Sequence, residues 1–195
     1  MLQQTQLKVV IPYWEKWMRA FPTLTYLAEA DLEHLLMIWQ GLGYYSRANR
    51  IHQSSKILIE FVGKNSDQDP HSWPNEIEQW ISLPGIGRST AGSIISSAFD
   101  LPTPILDGNV KRILSRLLAI ERRNIKDDRK LWQLSSFLIS KLSPRNFNQA
   151  LMDLGAIICT PKKPRCSSCP LQNFCVAHTK YDPDYFPKKI MTKIK

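Results

Sequence analysis

Residues 83–94 read LPGIGRSTAGSI, and this stretch decides the fold that the rest of the chain predicts. Apolar residues recur at helical spacing in two runs. The first, from Ile77 to Ser82, comes just before this stretch, and the second, from Arg88 to Phe99, begins within it. The five residues between these runs, LPGIG at 83–87, break helices and favour turns. The sequence therefore predicts two short helices joined by a tight hairpin at 77–99.

The two glycines of this hairpin suit it to holding an anion. Gly85 and Gly87 stand on either side of one apolar residue, so the turn can be tight and its backbone N–H groups can stay uncovered. These donors and the dipole of the next helix stabilise negative charge, which makes Leu83, Gly85 and Gly87 candidate contacts to a DNA phosphate. The alternative is an ordinary corner between two helices, in which glycine only tightens the bend.

Helical periodicity extends through almost the whole chain. Val110, Ile113, Leu114 and Leu117 follow one helical face, and the run from 147 to 158 repeats the pattern. Further helices are predicted at 5–19, 31–40, 44–62 and 130–142. Strand alternation is absent, and short segments with Gly and Pro separate the helical runs. The sequence therefore predicts an all-α fold.

The composition favours a polyanionic partner. The chain has 195 residues, with 26 Lys and Arg against 17 Asp and Glu, which gives a formal net charge of +9. Such a charge favours nucleic acid, although many basic proteins bind no particular polyanion. No apolar run has the length of a membrane span and no secretory signal is visible, so we expect a cytoplasmic, nucleoid-associated protein without a membrane partner.

All four cysteines lie in one segment, CTPKKPRCSSCPLQNFC at 159–175, with the spacing C-x6-C-x2-C-x5-C. Two disulfides are one explanation, but a chain of this length does not need them to hold a core. Structural zinc usually takes two close pairs, whereas this segment has one close pair with a single cysteine on each side. The spacing favours a [4Fe–4S] cluster over zinc, with the ligands Cys159, Cys166, Cys169 and Cys175.

Several motifs, in order, resemble the helix–hairpin–helix DNA glycosylases of the endonuclease III superfamily, and most closely their adenine-excising branch. They are MLQQTQ at 1–6, GLGYYSRA at 41–48, LPGIGRSTAGSI at 83–94, LDGNVKR at 106–112, MDLGAIIC at 152–159 and CPLQNFC at 169–175. The resemblance runs from residue 1 to about residue 186, so it covers nearly the whole chain.

The resemblance implies two helical domains with a cleft for double-stranded DNA between them. Residues 1–103 would form a six-helix domain that carries the hairpin, residues 104–186 would form the domain that holds the [4Fe–4S] cluster, and residues 187–195 read as a basic tail. The implied activity is removal of adenine mispaired with 8-oxoguanine or guanine, by flipping the nucleotide out and hydrolysing its N-glycosidic bond. The implied oligomeric state is a monomer.

The resemblance also implies catalytic roles. Asp107 matches the superfamily's catalytic aspartate, whose carboxylate stabilises the positive charge that develops on the sugar. Without that motif the preferred role of Asp107 would be an N-cap, and Asn109, which matches a residue near the catalytic centre, could also be a cap. Ser89 occupies the position at which the strand-cleaving branch has a lysine, so a monofunctional glycosylase is implied.

Other residues match positions that contact DNA in this superfamily. Gln3, Gln4 and Tyr44 resemble residues that wedge into the duplex and fill the space left by the flipped base. Taken singly, Gln3 and Gln4 are also consistent with surface glutamines, and Tyr44 is consistent with a partly buried tyrosine. The superfamily's cluster loop carries cations that contact phosphate, and these positions are matched by Lys162, Lys163 and Arg165. The alternative is that the three side chains belong to a solvated loop and contact no phosphate.

Two departures from the resemblance concern the ends of the chain. The adenine-excising branch has a second catalytic carboxylate, a glutamate two positions before the methionine of MLQQTQ, which here is Met1. Loss of such a general acid typically costs about 10²–10⁴-fold in rate, so low activity is expected unless preceding residues supply it. The 8-oxoguanine-recognition domain of that branch has no counterpart after the tail. The alternative functions are a non-catalytic cluster-containing DNA-binding protein and a pyrimidine glycosylase with lyase activity.

Overall fold

A computed structural model describes residues 1, 5–63, 69, 72–121 and 125–187 of the chain. Within these ranges all regular structure is helical and no strand is present, so the predicted all-α fold is confirmed. The chain divides into two compact units, Met1–Gly87 and Arg88–Lys195. The predicted domains, 1–103 and 104–186, stay a prediction. No helix in the described ranges combines the length and the apolar character needed to cross a membrane.

The first unit packs its helices around aromatic side chains. Its described helices are α1 (Leu7–Ala20), α2 (Leu24–Glu29), α3 (Leu32–Trp39), α4 (Tyr45–Val62) and α5 (Ile77–Ile81). Their apolar faces bury Trp17, Phe21, Leu35, Trp39, Leu42 and Ala48. The ring of Trp17 meets those of Phe21 and Trp39 edge-on, at centroid distances of 4.9 and 5.6 Å, an arrangement that aromatic pairs prefer.

Side-chain caps determine where α2 and α3 begin. Thr23 Oγ1 accepts a hydrogen bond from Tyr26 N at 3.4 Å, and Asp31 Oδ2 accepts one from Glu33 N at 3.1 Å. Each bond satisfies an N–H group that has no partner within its helix. The sequence pattern did not predict α2, because six residues cover less than two helical turns and carry little periodicity.

The second unit packs around α7. Its described helices are α6 (Arg88–Phe99), α7 (Gly108–Leu117), α8 (Ile125–Leu138), α9 (Pro144–Asp153) and α10 (Val176–Lys180), with a π-helical turn at Leu154–Ile158. The core contains Ile105, Leu106, Val110, Ile113, Leu114, Leu131 and Leu151. The helix α6 has the predicted bounds, whereas α8 lies several residues before the predicted 130–142. The run predicted through 158 is α9 followed by the π-helical turn.

Candidate functional site

Asp107 is the N-cap of α7. Its backbone is extended, with φ −80° and ψ −175°, and its Oδ1 accepts a hydrogen bond from Val110 N at 2.8 Å. The free N–H groups and the dipole of a helix N-terminus stabilise a carboxylate at this position. The second carboxylate oxygen of Asp107 accepts no hydrogen bond from the described residues.

Ser89 holds the backbone that leads into Asp107. Its Oγ accepts a hydrogen bond from Leu106 N at 2.9 Å, and one residue earlier Ile105 O accepts a bond from Ser135 Oγ at 2.7 Å. Leu106 and Ile105 are both buried. Two hydroxyl groups from different helices therefore fix the segment before Asp107, and Ser89 and Asp107 lie in the same neighbourhood.

Asn109 and Arg112 connect the first turn of α7 to the cysteine segment. Arg112 Nη2 donates hydrogen bonds to Asn109 Oδ1 at 2.9 Å and to Gly155 O at 2.7 Å, while its Nε donates to Cys159 O at 2.7 Å. Burial lowers the pKa of Arg112 from its ordinary value, and the nearby Cys159 opposes that shift. These hydrogen bonds offset the cost of removing the guanidinium from water.

Gly155 permits the close approach of the π-helical turn to α7. A Cβ atom at this position would lie 2.6 Å from Asn109 Cβ and 3.1 Å from its Cγ. Only glycine therefore fits without movement of Asn109. The π-helical turn closes with a hydrogen bond from Cys159 N to Leu154 O at 2.7 Å, which places the first cysteine at the end of this turn.

The four cysteines line a single cavity in the second unit, together with Arg116, Ile158, Pro164, Arg165, Gln172, His178 and Pro183. Burial raises the pKa of the Cys166 thiol, and the neighbouring Cys159, Cys175 and Cys169 raise it further. No three His, Cys, Asp or Glu side chains in the described part of the chain are arranged around one metal ion.

The donor set of this cavity fits a cluster better than a single zinc ion. Tetrahedral zinc with Zn–S bonds near 2.3 Å would bring the sulfurs to roughly 3.8 Å from one another. A cubane cluster needs a separate thiolate at each iron, so its ligands stand further apart around a larger body. The cavity supplies four thiols, one for each iron of a cubane cluster.

Arg116 fixes the segment that carries the cysteines. Its side chain is 2% exposed, and its Nε donates to the carbonyl oxygens of Pro183 and Phe186 at 2.8 and 2.9 Å. Its Nη1 donates to Thr160 O at 2.7 Å and lies 3.3 Å from Cys159 Sγ. Arg116 therefore holds the first cysteine and the carbonyl groups on both sides of the cysteine segment in place.

Sequence reasoning missed both arginines of α7. Arg112 and Arg116 lie off the apolar stripe of the helix, which is typical of solvated side chains. The structure instead buries Arg116 against carbonyl groups up to 70 residues away in the chain. One sequence feature could have drawn attention to these two arginines: they stand four residues apart, and so on one side of a helix, shortly after the LDGNV motif.

The three cluster-loop cations have different surroundings. Lys162 and Lys163 are exposed, and neither ammonium group has an ion pair or hydrogen bond within the described ranges. The backbone of Lys163 is left-handed, with φ 48°, and its N–H donates to Asp184 Oδ2 at 3.3 Å. Arg165 instead binds its own segment, since its Nε donates to Ile157 O at 3.2 Å.

Tyr44 is the N-cap of α4 in the first unit. Its backbone is left-handed, with φ 50° and ψ 52°, and its side chain is 63% exposed. Gly41 and Gly43 of the preceding turn also have positive φ, at 100° and 69°. Such a turn presents the ring of Tyr44 to solvent. The other predicted wedge residues, Gln3 and Gln4, lie outside the described residues, as does the basic tail from residue 188 onward.

The hairpin turn closes as predicted from its glycines. Ile86 N donates to Leu83 O at 3.2 Å, Gly85 has φ 80°, and Leu83 is buried. Ser54 Oγ of α4 donates to Pro84 O at 3.3 Å and holds the turn in place. Within the described residues the N–H groups of Gly85 and Gly87 have no acceptor, so both donors are available to an anion.

Comparison with known proteins decides the family. Residues 1–136 match the family model described as HhH-GPD superfamily base excision DNA repair protein. The chain belongs to this superfamily. Residues 159–175 of this HhH-GPD protein also match the iron–sulfur binding domain of endonuclease III. The predicted iron–sulfur cofactor is thereby confirmed, and the ligand role of each cysteine stays a prediction.

The HhH-GPD protein is similar in sequence to adenine DNA glycosylases. It is 43% identical to the enzyme of Rattus norvegicus over 180 residues, which cover 91% of this chain and 34% of that protein. It is 41% identical to the enzyme of Buchnera aphidicola subsp. Schizaphis graminum over 196 residues, which cover 100% of this chain and 54% of that protein. The chain thus spans between about a third and about half of the length of these relatives.

Solved structures share the fold of the HhH-GPD protein. A thermostable thymine-DNA glycosylase matches with a TM-score of 0.77 at 23% identity, over 91% of this chain and 79% of that one. A non-covalent complex of endonuclease III with DNA matches with a TM-score of 0.69 at 23% identity, over 88% of this chain and 77% of that one. These similarities establish the helical fold of the superfamily.

Proposed function

We propose that this chain is a monofunctional DNA glycosylase that removes adenine mispaired with 8-oxoguanine or guanine and leaves an abasic site. The observation that carries the proposal is the neighbourhood of Asp107, where a carboxylate caps α7 and the hydroxyl of Ser89 holds the preceding backbone. The relatives at 41–43% identity, which are named adenine DNA glycosylases, support adenine as the excised base.

The carboxylate of Asp107 would act on the sugar. Breaking an N-glycosidic bond builds oxocarbenium character at the sugar ring, and a fixed carboxylate stabilises that positive charge. Because Val110 N binds Oδ1, the side chain is held before substrate arrives and one oxygen remains free to face the sugar. Water adds to the oxocarbenium carbon and loses a proton, while the departing adenine gains one, which the resemblance assigns to a glutamate two positions before Met1. Asn109, fixed by Arg112, borders the same turn of α7.

Ser89 supports a glycosylase without strand cleavage. β-Elimination at an abasic site requires an amine that forms a Schiff base with the sugar, and a hydroxyl cannot form one. The Ser89 oxygen is also engaged as an acceptor for Leu106 N. The side chain therefore serves to position the backbone before Asp107.

The chain would bind mispaired double-stranded DNA through several parts of its surface. The uncovered N–H groups of Gly85 and Gly87 would hold a phosphate without regard to base sequence. The exposed ring of Tyr44 would enter the base stack, and the ammonium groups of Lys162 and Lys163 would contact phosphates. We also propose that the protein is a monomer and lies in the cytoplasm, associated with the nucleoid if the source is bacterial.

We further propose that Cys159, Cys166, Cys169 and Cys175 ligate a [4Fe–4S] cluster. All four line one cavity, and the Arg116 guanidinium lies 3.3 Å from Cys159 Sγ. When bound, such a cluster would cross-link the segment and brace Lys162 and Lys163. With four thiolates as ligands it offers no open position for hydrolytic chemistry, so the reaction would depend on Asp107.

A single-turnover excision assay tests the proposal. The chain and a version that also carries a glutamate two positions before Met1 are each incubated with a duplex that has adenine opposite 8-oxoguanine, with the adenine strand labelled, and abasic sites are converted to breaks by hot alkali. We expect breaks at the adenine position only after alkali, and we expect them to form about 10²–10⁴-fold faster in the version with the glutamate. A duplex with adenine opposite thymine is the matched control and should stay intact.

Two results would contradict the proposal in different ways. Breaks without alkali would show lyase chemistry and would contradict the role given to Ser89. Tight binding to an abasic-site analogue without excision, in a version of the protein that also carries a glutamate two positions before Met1, would favour a non-catalytic DNA-binding protein.

A further inference from the structure

Arg47 lies between two aromatic side chains of the first unit. Its Cζ is 5.0 Å from the ring centroid of Tyr44 and 5.7 Å from that of Trp39. Both distances fall within the range of about 6 Å over which a guanidinium is attracted to an aromatic face. Arg47 Nη1 also donates a hydrogen bond to Met1 O at 3.4 Å, which ties the guanidinium to the start of the chain.

The backbone of Tyr44 needs support from its surroundings. Its φ of 50° is unusual for a residue with a bulky side chain, because Cβ crowds the following carbonyl group. Trp39 is fully buried, and its Nε1 donates a hydrogen bond to Gly43 O at 2.9 Å, which fixes the residue immediately before Tyr44. The backbone is thus held from the core, but the exposed ring has no comparable hydrogen bond within the described residues.

We infer that Arg47 is a positioning residue for Tyr44, and this inference rests on the wedge role of Tyr44 in the proposed function. The guanidinium covers one face of the ring and keeps the side chain in one orientation, while solvent reaches the rest of the ring. A ring ordered in advance loses less entropy when it stacks on a base, so it binds more tightly. The contact of Arg47 with buried Trp39 limits the movement of the guanidinium itself.

The first experiment uses the free protein and does not depend on DNA binding. NMR spectra of the full chain with ring-labelled tyrosine are compared for the unaltered protein, Arg47→Met and Arg47→Lys. We expect the Tyr44 ring signals, assigned with Tyr44→Phe, to shift in Arg47→Met and to shift less in Arg47→Lys, which keeps the charge. Unchanged Tyr44 signals in a folded Arg47→Met protein would overturn the inference.

The second experiment is a double-mutant cycle on mispaired DNA. Dissociation constants and the fluorescence of a 2-aminopurine next to the mispair are measured for the unaltered chain, Arg47→Met, Tyr44→Ala and the double variant. We expect Arg47→Met to weaken binding roughly threefold to fivefold and to reduce the unstacking signal, as for the removal of one cation–π interaction. In the Tyr44→Ala background the same change should have less than about a twofold effect.

The outcomes distinguish the role of Arg47 from the wedge role of Tyr44. An equal effect of Arg47→Met in both backgrounds would overturn the inference, because Arg47 would then act without Tyr44. No effect of Tyr44→Ala on binding or fluorescence would instead overturn the wedge role in the proposed function. If Arg47→Met fails to fold by circular dichroism, Arg47→Gln, which also removes the charge, carries the same cycle, and a coupling with Tyr44 below about twofold would overturn the inference.

Discussion

At the scale of single residues, Asp107 combines a cap with a proposed catalytic charge, and a substitution can separate the two. Asparagine caps helices as well as aspartate, so Asp107→Asn should change the free energy of unfolding by less than about 0.5 kcal/mol. The same change removes the charge that would stabilise the oxocarbenium ion, so we expect excision to slow by about 10²-fold or more. Single-turnover rates and urea unfolding measure the two effects.

A matched control for this prediction is Asp31→Asn. Asp31 caps α3 through hydrogen bonds from Glu33 N and His34 N, at 3.1 and 3.3 Å, and has no proposed catalytic role. We expect it to leave the excision rate unchanged. Excision by Asp107→Asn at the rate of the unaltered chain would refute the catalytic role and leave Asp107 as a cap.

At the scale of helices and turns, the sequence predicted elements whose signals are local. The bounds of α6 followed from the hairpin before it. The π-helical turn at Leu154–Ile158 has no such signal. It lies so close to α7 that residue 155 must be glycine. The MDLGAIIC motif includes Gly155, but only the packing against Asn109 shows why this position requires glycine.

This packing predicts the effect of Gly155→Ala. The added methyl group would overlap Asn109 Cβ, so we expect the free energy of unfolding to fall by about 1–3 kcal/mol. Gly108→Ala is the control, since a Cβ there meets no atom within 4 Å and should leave stability equal or higher. Urea unfolding monitored by circular dichroism compares them, and equal stabilities for the two variants would contradict the effect expected from packing.

The same scale gives a prediction for Arg116, which joins α7 to the cysteine segment. Arg116→Met leaves the carbonyl group of Phe186 and the part-buried carbonyl groups of Pro183 and Thr160 without this donor, so we expect a decrease of roughly 1–3 kcal/mol in unfolding free energy. The variant should also retain less iron after purification, because the segment around Cys159 loses its anchor. Arg129→Met, which alters an exposed arginine of α8, should retain the full iron content.

Iron analysis and visible absorbance test this expectation. Full iron content in a folded Arg116→Met protein would show that the cysteines hold the cluster without the hydrogen bonds of Arg116. The sequence did not predict these contacts of Arg116, since its partners lie 43 to 70 residues away and the helix pattern placed the side chain on the polar face.

At the scale of the whole molecule, the net charge of +9 favours DNA binding, but the structure indicates that its cations are not equivalent. Arg112 and Arg116 have buried partners, and Arg165 binds Ile157 O, so these charges are committed to the fold. Lys162 and Lys163 have free ammonium groups among the described residues. Total charge therefore predicted the class of partner, while the individual contacts depend on which side chains remain unpaired.

This distinction predicts the salt dependence of binding. Removing one phosphate-binding cation lowers the slope of log K against log salt by about 1, so Lys162→Gln and Lys163→Gln should each reduce the slope by that amount and weaken all duplexes alike. Arg165→Gln should instead lower the unfolding temperature with little change in slope, because its guanidinium holds Ile157 O. Lys141→Gln, at an exposed turn after α8, removes the same charge as a control. Fluorescence anisotropy at several salt concentrations gives the slopes, and an equal change for Lys141→Gln and Lys162→Gln would mean that binding responds only to net charge.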